Sequence, residues 1–191
     1  ALMAMSLAVT RVLRQDGGME FGKHCQFVAG HSLGEYSALR AADALALDAT
    51  AQLLKKRGQA MQQAVPVGQG TMAALLGLDF EAAAGVAADA AQGQVCDVAN
   101  DNAPGQVVVS GNVEAVERAV ELAKDRGARR PMLLPVSAPF HCALMQPAAD
   151  IMAEALEISP PIAPAVPLVA NVAAAAVSDP DEIRDLLVRQ G

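Results

Sequence analysis

The chain has 191 residues, of which 53% are hydrophobic and 3% are aromatic, and its formal net charge is −7. A composition this rich in apolar residues supports a substantial hydrophobic core and excludes a mostly disordered chain. The acidic balance and the absence of Trp argue against a general binder of nucleic acids or of anionic membranes. Such binders need a basic face, and base stacking needs aromatic side chains.

The cysteines and the apolar tracts indicate the compartment. Cys25, Cys96 and Cys142 form no C-x-x-C pair and are odd in number, so we expect free thiols in a reducing cytoplasm. The N-terminal residues lack a basic segment and an A-x-A site, so we expect no signal peptide. The apolar tract 161–177 contains three prolines and is therefore a poor membrane span.

The first third of the chain predicts helices around one short strand. Apolar residues recur with helical spacing over residues 1–14. Residues 25–29 form a short apolar run typical of a buried strand, and a helix is predicted over residues 35–42. A longer helix is predicted over residues 49–64, with Asp48 as its N-cap.

The middle of the chain alternates between strand and helix patterns. Strands are predicted over residues 71–76, 95–99, 106–110 and 130–135. Helices are predicted over residues 81–91, after the first strand, and 113–126, after the third. Asn112 is predicted to cap the second of these helices. This is the order of a ferredoxin-like split motif. We therefore predict a small subdomain over residues 68–135.

The last part of the chain returns to longer helices. Helices are predicted over residues 145–158 and 182–189, with a strand over residues 167–171 between them. Residues 1–67 and 136–191 together are predicted to form a larger subdomain of the α/β class. Neither end carries a complete cap, so we expect both to be truncations of a longer fold.

The sequence GHSLG, residues 30–34, matches the G-x-S-x-G nucleophile elbow. Such a strand-to-helix turn exposes Ser32 at a helix N-terminus, where free N–H groups favour negative charge. A Cβ at Gly30 or at Gly34 is expected to crowd the turn. The pentapeptide alone also fits a glycine-rich turn with an incidental serine.

A nucleophilic serine needs a base, and the chain contains three histidines. His31 adjoins the serine, so its side chain is expected to point elsewhere, and His24 is expected on the surface. His141 follows the small subdomain, where a loop could come back over the elbow. Imidazole accepts a hydroxyl proton near neutral pH, so we predict Ser32 and His141 as a catalytic pair. The alternative is that His141 is a structural residue.

An arginine shares a helical stripe with apolar residues. Leu54, Arg57 and Met61 lie at spacings of three and four, which places them on one face. Arg57 could extend to solvent or pair with a structural carboxylate. It could equally be a bidentate clamp for a substrate carboxylate. The periodicity favours neither interpretation.

The segment GHSLGEYSAL, residues 30–39, resembles the active-site signature of malonyl-CoA:acyl-carrier-protein transacylases. Further segments resemble that family and occur in the same order. They are RG at 57–58 with MQ at 61–62, NAPGQVV at 102–108 and PVSAPFHCALM at 135–145. The resemblance runs over nearly all of the chain. It implies an α/β-hydrolase-like core with a parallel sheet and an inserted ferredoxin-like subdomain.

The resemblance implies a role for each matching residue. Ser32 would attack the malonyl thioester, and His141 would act first as base and then as acid. Arg57 would pair with the malonyl carboxylate, and the N–H of Leu33 would donate to the oxyanion.

Three further residues would shape the substrate site by the same resemblance. Phe140 would crowd a 2-methyl branch on the donor, while Asn102 and Gln106 would border the site. The implied partners are malonyl-CoA and acyl carrier protein. The CoA thioester is a substrate, so neither a cofactor nor a metal is expected.

Two parts of the family pattern have no counterpart in this sequence. The family loop GQGSQ supplies a second oxyanion N–H, and GQG at 68–70 does not replace it because it follows Arg57. No Asp or Glu is a convincing partner to orient His141. The alternatives are therefore a serine esterase, a catalytically incomplete fragment, or an acyltransferase domain of a polyketide synthase. A cation on the pocket wall argues against an esterase for neutral acyl groups.

Overall fold

A computed structural model describes residues 1–190, and their contacts divide the chain into two units. Unit 1 comprises residues 1–58 and 149–190, and unit 2 comprises residues 59–148. The predicted subdomain borders, after residues 67 and 135, stay a prediction.

Helices and strands follow one another along the whole chain. In chain order they are α1 (Leu2–Gln15), α2 (Phe21–His24), β1 (Val28–Ala29), α3 (Leu33–Ala41), α4 (Leu47–Ala64), β2 (Gly70–Leu76), α5 (Phe80–Ala91), β3 (Cys96–Asp101), β4 (Gln106–Asn112), α6 (Val113–Asp125), β5 (Arg130–Leu133), a 3₁₀ turn (Ala143–Met145), α7 (Gln146–Ile158), β6 (Leu168–Ala170), β7 (Ala175–Val177) and α8 (Pro180–Arg189). Among residues 1–190, no helix combines the length and the apolar character needed to cross a membrane.

Unit 1 contains a three-stranded sheet in the order β1-β6-β7. β1 pairs with β6 in parallel, whereas β6 pairs with β7 in antiparallel fashion. The sheet is therefore mixed and not purely parallel as expected. The reason is the short turn over residues 171–174, because parallel strands need a crossover of a dozen or more residues.

The core of unit 1 joins this sheet to four helices. Buried side chains from α3, α4, α7 and α8 form one apolar cluster with the strands. Tyr36, Leu39, Leu156, Leu168 and Ile183 are completely buried within it. Burying a large apolar side chain contributes about 1.5–3 kcal/mol, so this cluster fixes the helices that carry the polar residues described below.

Unit 2 contains a four-stranded antiparallel sheet in the order β3-β4-β2-β5. Strand residues alternate between the two faces of a sheet. Accordingly, Ala73 and Leu75 of β2 join the core under α5 and α6. Met72 and Ala74 belong to a separate cluster on the opposite face. The whole of this sheet, with its two helices, comes from the segment predicted to alternate strands and helices.

Local details of several elements differ from the sequence expectations. α4 begins at Leu47, so Asp48 lies in its first turn and is not the N-cap. Asn112 precedes α6, but its Oδ1 accepts a hydrogen bond from the N–H of Val95 at 2.8 Å and caps no amide of the helix. The predicted strand 25–29 is only two residues long, and the short elements α2 and β7 were not predicted.

Candidate active site

Ser32 occupies a strained turn between β1 and α3. Its φ of 51° and ψ of −109° lie in a region that residues with a Cβ rarely adopt. A Cβ at Gly30 would overlap the backbone of Gly34, which confirms the need for glycine at position 30. A Cβ at Gly34 would meet no atom within 4 Å, so the expectation of crowding there was wrong. The strain at Ser32 is typical of a nucleophile elbow.

Asn171 holds the elbow from the neighbouring strand. Its Oδ1 accepts a hydrogen bond from the N–H of Ser32 at 2.7 Å, and its Nδ2 donates to the carbonyl of Gly30 at 2.8 Å. Asn171 directly follows β6, the parallel neighbour of β1. One amide side chain therefore ties together the two ends of the turn and fixes the backbone on which the serine sits.

Arg57 points into the interior of unit 1 beside the serine. It is 6% exposed, so its guanidinium does not extend to solvent. The same terminal nitrogen donates to Ser32 Oγ at 3.0 Å and to Gln190 Oε1 at 3.1 Å. Its guanidinium carbon lies 5.9 Å from the centre of the Tyr36 ring. Burial lowers the pKa of Arg57, yet an arginine remains protonated in proteins. A fixed positive charge therefore lies beside the serine hydroxyl.

Glu35 lies beneath this cluster in the first turn of α3. It is 1% exposed, and its Oε2 accepts hydrogen bonds from Gln190 Nε2 and from the N–H of Asn171. Burial raises the pKa of Glu35 to about 7, against the lowering effects of these two hydrogen bonds and of the charge of Arg57. Burial also raises the pKa of Tyr36 to about 12. Unit 1 thus contains a connected set of buried polar groups directly behind Ser32.

The predicted site residues fall into both units. Ser32, Leu33 and Arg57 belong to unit 1, where the structure brings Ser32 and Arg57 into hydrogen-bond contact. Leu33 is the first residue of α3, so its N–H has no partner within the helix.

Unit 2 contains the other four predicted residues: Asn102, Gln106, Phe140 and His141. Phe140 packs against the apolar cluster around Met72. His141 follows it with a positive φ of 57°. The N–H of Asn102 donates to the carbonyl of Gln106 at 3.1 Å, so these two flank the turn between β3 and β4. The roles of these four residues stay predictions.

His24 ends the short helix α2, and two of the three cysteines, Cys96 and Cys142, are buried. His24 is exposed, as expected, and its Nδ1 accepts a hydrogen bond from the N–H of Glu20 at 3.0 Å. All three cysteines are free thiols. Burial raises the pKa of Cys96 to about 11 and also raises that of Cys142. Within residues 1–190, no three His, Cys, Asp or Glu side chains are placed to hold a metal ion.

Sequence reasoning missed Glu35, Asn171 and Gln190. An acidic residue in a first helical turn normally faces solvent and stabilises the helix N-terminus, which hides the burial of Glu35. Asn171 had a usable signal, because carboxyl ends of neighbouring parallel strands meet at the edge where ligands bind. Gln190 carried no signal, since nothing in its local sequence distinguishes it from a surface residue at the end of α8.

Comparison with known proteins gives a consistent family. Residues 1–185 match the family described as acyl transferase domain. The malonyl CoA-acyl carrier protein transacylase of Escherichia coli strain K12 is 49% identical over 190 residues, which is 100% of this chain and 60% of that protein. The chain therefore spans about 60% of the length of this curated relative.

Two solved structures are also very similar. The crystal structure of acyl-carrier-protein S-malonyltransferase from Bartonella henselae matches with a TM-score of 0.95 and 55% identity, over 99% of this chain and 60% of that one. A malonyl-transacylase solved in complex with its type II polyketide synthase acyl-carrier protein matches with a TM-score of 0.94 and 45% identity, over 100% and 60%. Together with the strained Ser32 and the buried Arg57, these matches show that the chain belongs to the acyl transferase domain family.

Proposed function

We propose that the protein transfers a malonyl group from malonyl-CoA to the phosphopantetheine thiol of acyl carrier protein through an ester on Ser32. The observation that carries this proposal is the buried guanidinium of Arg57, 3.0 Å from Ser32 Oγ. A serine hydrolase for neutral acyl groups has no use for such a charge. The malonyl-transferring relatives named above support the same choice of donor.

Arg57 has capacity to bind a carboxylate in addition to its two present contacts. Both of these contacts use one terminal nitrogen, and the buried Nε–H has no hydrogen-bond partner among residues 1–190. A buried donor without an acceptor is unfavourable, and a substrate carboxylate would supply the missing acceptor. Arginine and carboxylate pair strongly and often in bidentate fashion. The site is therefore suited to an acyl donor that ends in an acid.

The chemistry proposed for Ser32 proceeds in two steps. Oγ attacks the thioester carbon, the carbon–sulfur bond breaks, and CoA leaves as its thiol after taking up the proton. The carrier thiol then attacks the malonyl ester and restores the serine hydroxyl. His141 is proposed to accept and return the proton. The N–H of Ser32 is engaged by Asn171, so the adjacent N–H of Leu33 is the proposed oxyanion donor.

The remaining expectations are part of the same proposal. Phe140, Asn102 and Gln106 are proposed to line the substrate site. The protein is proposed to be cytoplasmic and to need no cofactor or metal, with CoA entering as substrate.

We also propose an α/β-hydrolase-like subdomain, 1–67 with 136–191, and an inserted ferredoxin-like subdomain over 68–135. The element order β2-α5-β3-β4-α6-β5 and the antiparallel sheet support the inserted motif.

Mass spectrometry of the intact, full-length protein after mixing with malonyl-CoA tests this function. We expect one added malonyl group, on the peptide that contains Ser32. The group should be absent in Ser32→Ala and retained in Ser178→Ala, an exposed control in the turn before α8. A label that persists on Cys25 or Cys142 in Ser32→Ala would contradict the proposal. Burial keeps the Cys142 thiol protonated, so it is a poor nucleophile.

A further inference from the structure

One carboxylate oxygen of Glu35 contacts Asn171, which holds the amide of Ser32, and Gln190, which holds Arg57. The N–H of Asn171 donates to Glu35 Oε2 at 3.2 Å, and Asn171 Oδ1 in turn accepts from the N–H of Ser32. Gln190 Nε2 donates to the same Oε2, and Gln190 Oε1 accepts from Arg57, which donates to Ser32 Oγ. Two paths therefore run from one buried oxygen to the two polar ends of the serine, its amide and its hydroxyl.

The carboxylate fixes which way the Gln190 amide faces. Above about pH 7, where Glu35 is ionised, the carboxylate only accepts hydrogen bonds, so Gln190 must present its nitrogen to Glu35 and its oxygen to Arg57. The same orientation lets Gln190 Nε2 donate to Asn171 Oδ1 at 3.2 Å. A reversed amide would set its N–H groups against the guanidinium and its oxygen against the carboxylate. Glu35 therefore ensures that Gln190 presents its amide oxygen, and not its amide nitrogen, to the Arg57 guanidinium.

This arrangement is poorly explained by stability alone. Glu35 is 1% exposed, and its Oε1 has no hydrogen-bond partner among residues 1–190. A buried carboxylate with one unsatisfied oxygen is destabilising, and an apolar side chain would pack at such a position without that penalty. The hydrogen bonds that Glu35 accepts from Gln190 and Asn171 give this position a second explanation.

We propose that Glu35 is a positioning residue that holds Arg57 and Ser32 in the geometry that accepts acidic acyl donors. This inference rests on the proposed malonyl transfer. Glu35 touches neither the reacting atoms nor the donor. It acts through Gln190, which anchors the guanidinium, and through Asn171, which anchors the serine amide. The preference for malonyl over acetyl donors should therefore depend on a residue that makes no contact with the acyl group.

Glu35→Gln in the full-length protein is the direct test. The new amide can offer an N–H to Gln190, so the Gln190 amide is free to reverse and Arg57 loses its fixed acceptor. We expect kcat/KM for malonyl-CoA to fall by about 10-fold to 100-fold, by analogy with the loss seen when a hydrogen-bond partner that orients a metal ligand is removed. The rate with acetyl-CoA, which has no carboxylate for Arg57, should fall much less, so the malonyl-to-acetyl ratio should decrease. Glu157→Gln, the same change on the exposed face of α7, should alter neither value.

Thermal unfolding of each variant identifies a loss that arises from misfolding. If Glu35→Gln does not fold, Gln190→Met decides, because it removes the link between Glu35 and Arg57. It also removes the Gln190 contact to Asn171, but the hydrogen bonds of Asn171 to Glu35, Ser32 and Gly30 stay in place. An unchanged malonyl-to-acetyl ratio in the folded variant overturns the role of Glu35. An equal loss with both donors does so too, since it indicates a structural role. A parent protein that forms no malonyl ester on Ser32 overturns the proposed function itself, and this inference with it.

Discussion

The two units bury polar side chains to very different extents. Residues 1–190 contain six buried polar or charged residues, and five of them belong to unit 1: Glu35, Ser37, Thr50, Arg57 and Gln190. Unit 2 buries Ser110, while the core between its sheet and helices consists of Ala, Val, Leu and one Cys.

This difference shows which part of the chain buries polar groups at a cost to its stability. Burial of a polar group costs free energy unless hydrogen bonds compensate for it, and burial of a charge costs more. Unit 2 avoids that cost almost entirely. Unit 1 concentrates it behind one serine, where Arg57 and Glu35 are both nearly inaccessible to solvent. In our proposal, unit 1 therefore binds the acyl carboxylate. We expect changes in the core between the sheet and the helices of unit 2 to affect stability without changing the malonyl-to-acetyl ratio.

Among the changes considered, Arg57→Ala is expected to have the largest effect, and the effect is on the rate of malonyl transfer. Removing one partner of a buried charge pair costs about 2–5 kcal/mol, so malonyl transfer should fall by orders of magnitude. The reaction with acetyl-CoA should fall far less. Steady-state rates with both donors check this, with Lys56→Ala as the control, because Lys56 is only half-buried and lies beside Arg57 on α4. Equal losses with both donors would show that Arg57 is structural.

Leu75→Ala tests whether a core change in unit 2 lowers stability without changing donor choice. Leu75 is completely buried on the helix face of β2, so its truncation should lower the free energy of unfolding by about 3–4 kcal/mol. The malonyl-to-acetyl ratio of the folded protein should not change. Leu133→Ala on β5 provides an exposed leucine as control. A shifted donor ratio in Leu75→Ala would remove the distinction between the two units.

The raised pKa of Glu35 predicts a pH dependence of stability. The native protein holds this proton up to about pH 7, whereas the unfolded chain releases it near pH 4.5, so stability should fall as pH rises between these values. The loss should approach about 3 kcal/mol at neutral pH. The facing titratable groups are Arg57 and Tyr36, and neither titrates in this range.

Denaturant unfolding of the parent and of Glu35→Gln from about pH 5 to about pH 8 measures this effect, because the variant lacks the titrating group. The difference in unfolding free energy, parent minus variant, should decrease with rising pH. A difference that does not change with pH would show that the pKa of Glu35 is the same in the native and unfolded states.

Gly30→Ala tests the geometry of the elbow against a matched neighbour. A Cβ at Gly30 would overlap the backbone of Gly34, so the variant should lose about 2 kcal/mol of stability. Gly34→Ala meets no atom within 4 Å and lies in α3, so it should be neutral or slightly stabilising. Thermal unfolding of the two variants checks this. Similar losses in both would contradict the account of the turn.

Phe140→Ser is expected to give the smallest effect. If Phe140 crowds a 2-methyl branch, the methylmalonyl-to-malonyl ratio should rise about tenfold, since one methyl group in a pocket is worth about 1–3 kcal/mol. Val136→Ser is the control, because Val136 packs on the same apolar cluster as Phe140. Donor competition measured by mass spectrometry gives the ratio. No change, or the same change in both variants, would exclude Phe140 from donor selection.

Sequence reasoning succeeded where a local pattern determines the structure. The short apolar run of β2 and the apolar stripe of α6 predicted those elements almost to the residue, and the GHSLG motif located the elbow. It failed for α2 and β7, which are too short to show a period. Glu35, Asn171 and Gln190 were missed because their contacts join residues that are 19 to 155 positions apart. Only the pairing of β6 with β1 and the packing of α8 bring them together.

The structure of the malonyl ester of Ser32, trapped without a carrier thiol, tests the central claim most directly. The account predicts that the malonyl carboxylate accepts hydrogen bonds from the Arg57 guanidinium at ordinary N–H···O distances of about 2.7–3.2 Å. It also predicts that Gln190 keeps its amide oxygen toward Arg57. A malonyl carboxylate that points away from Arg57 into solvent would contradict the claim that this buried charge selects the donor.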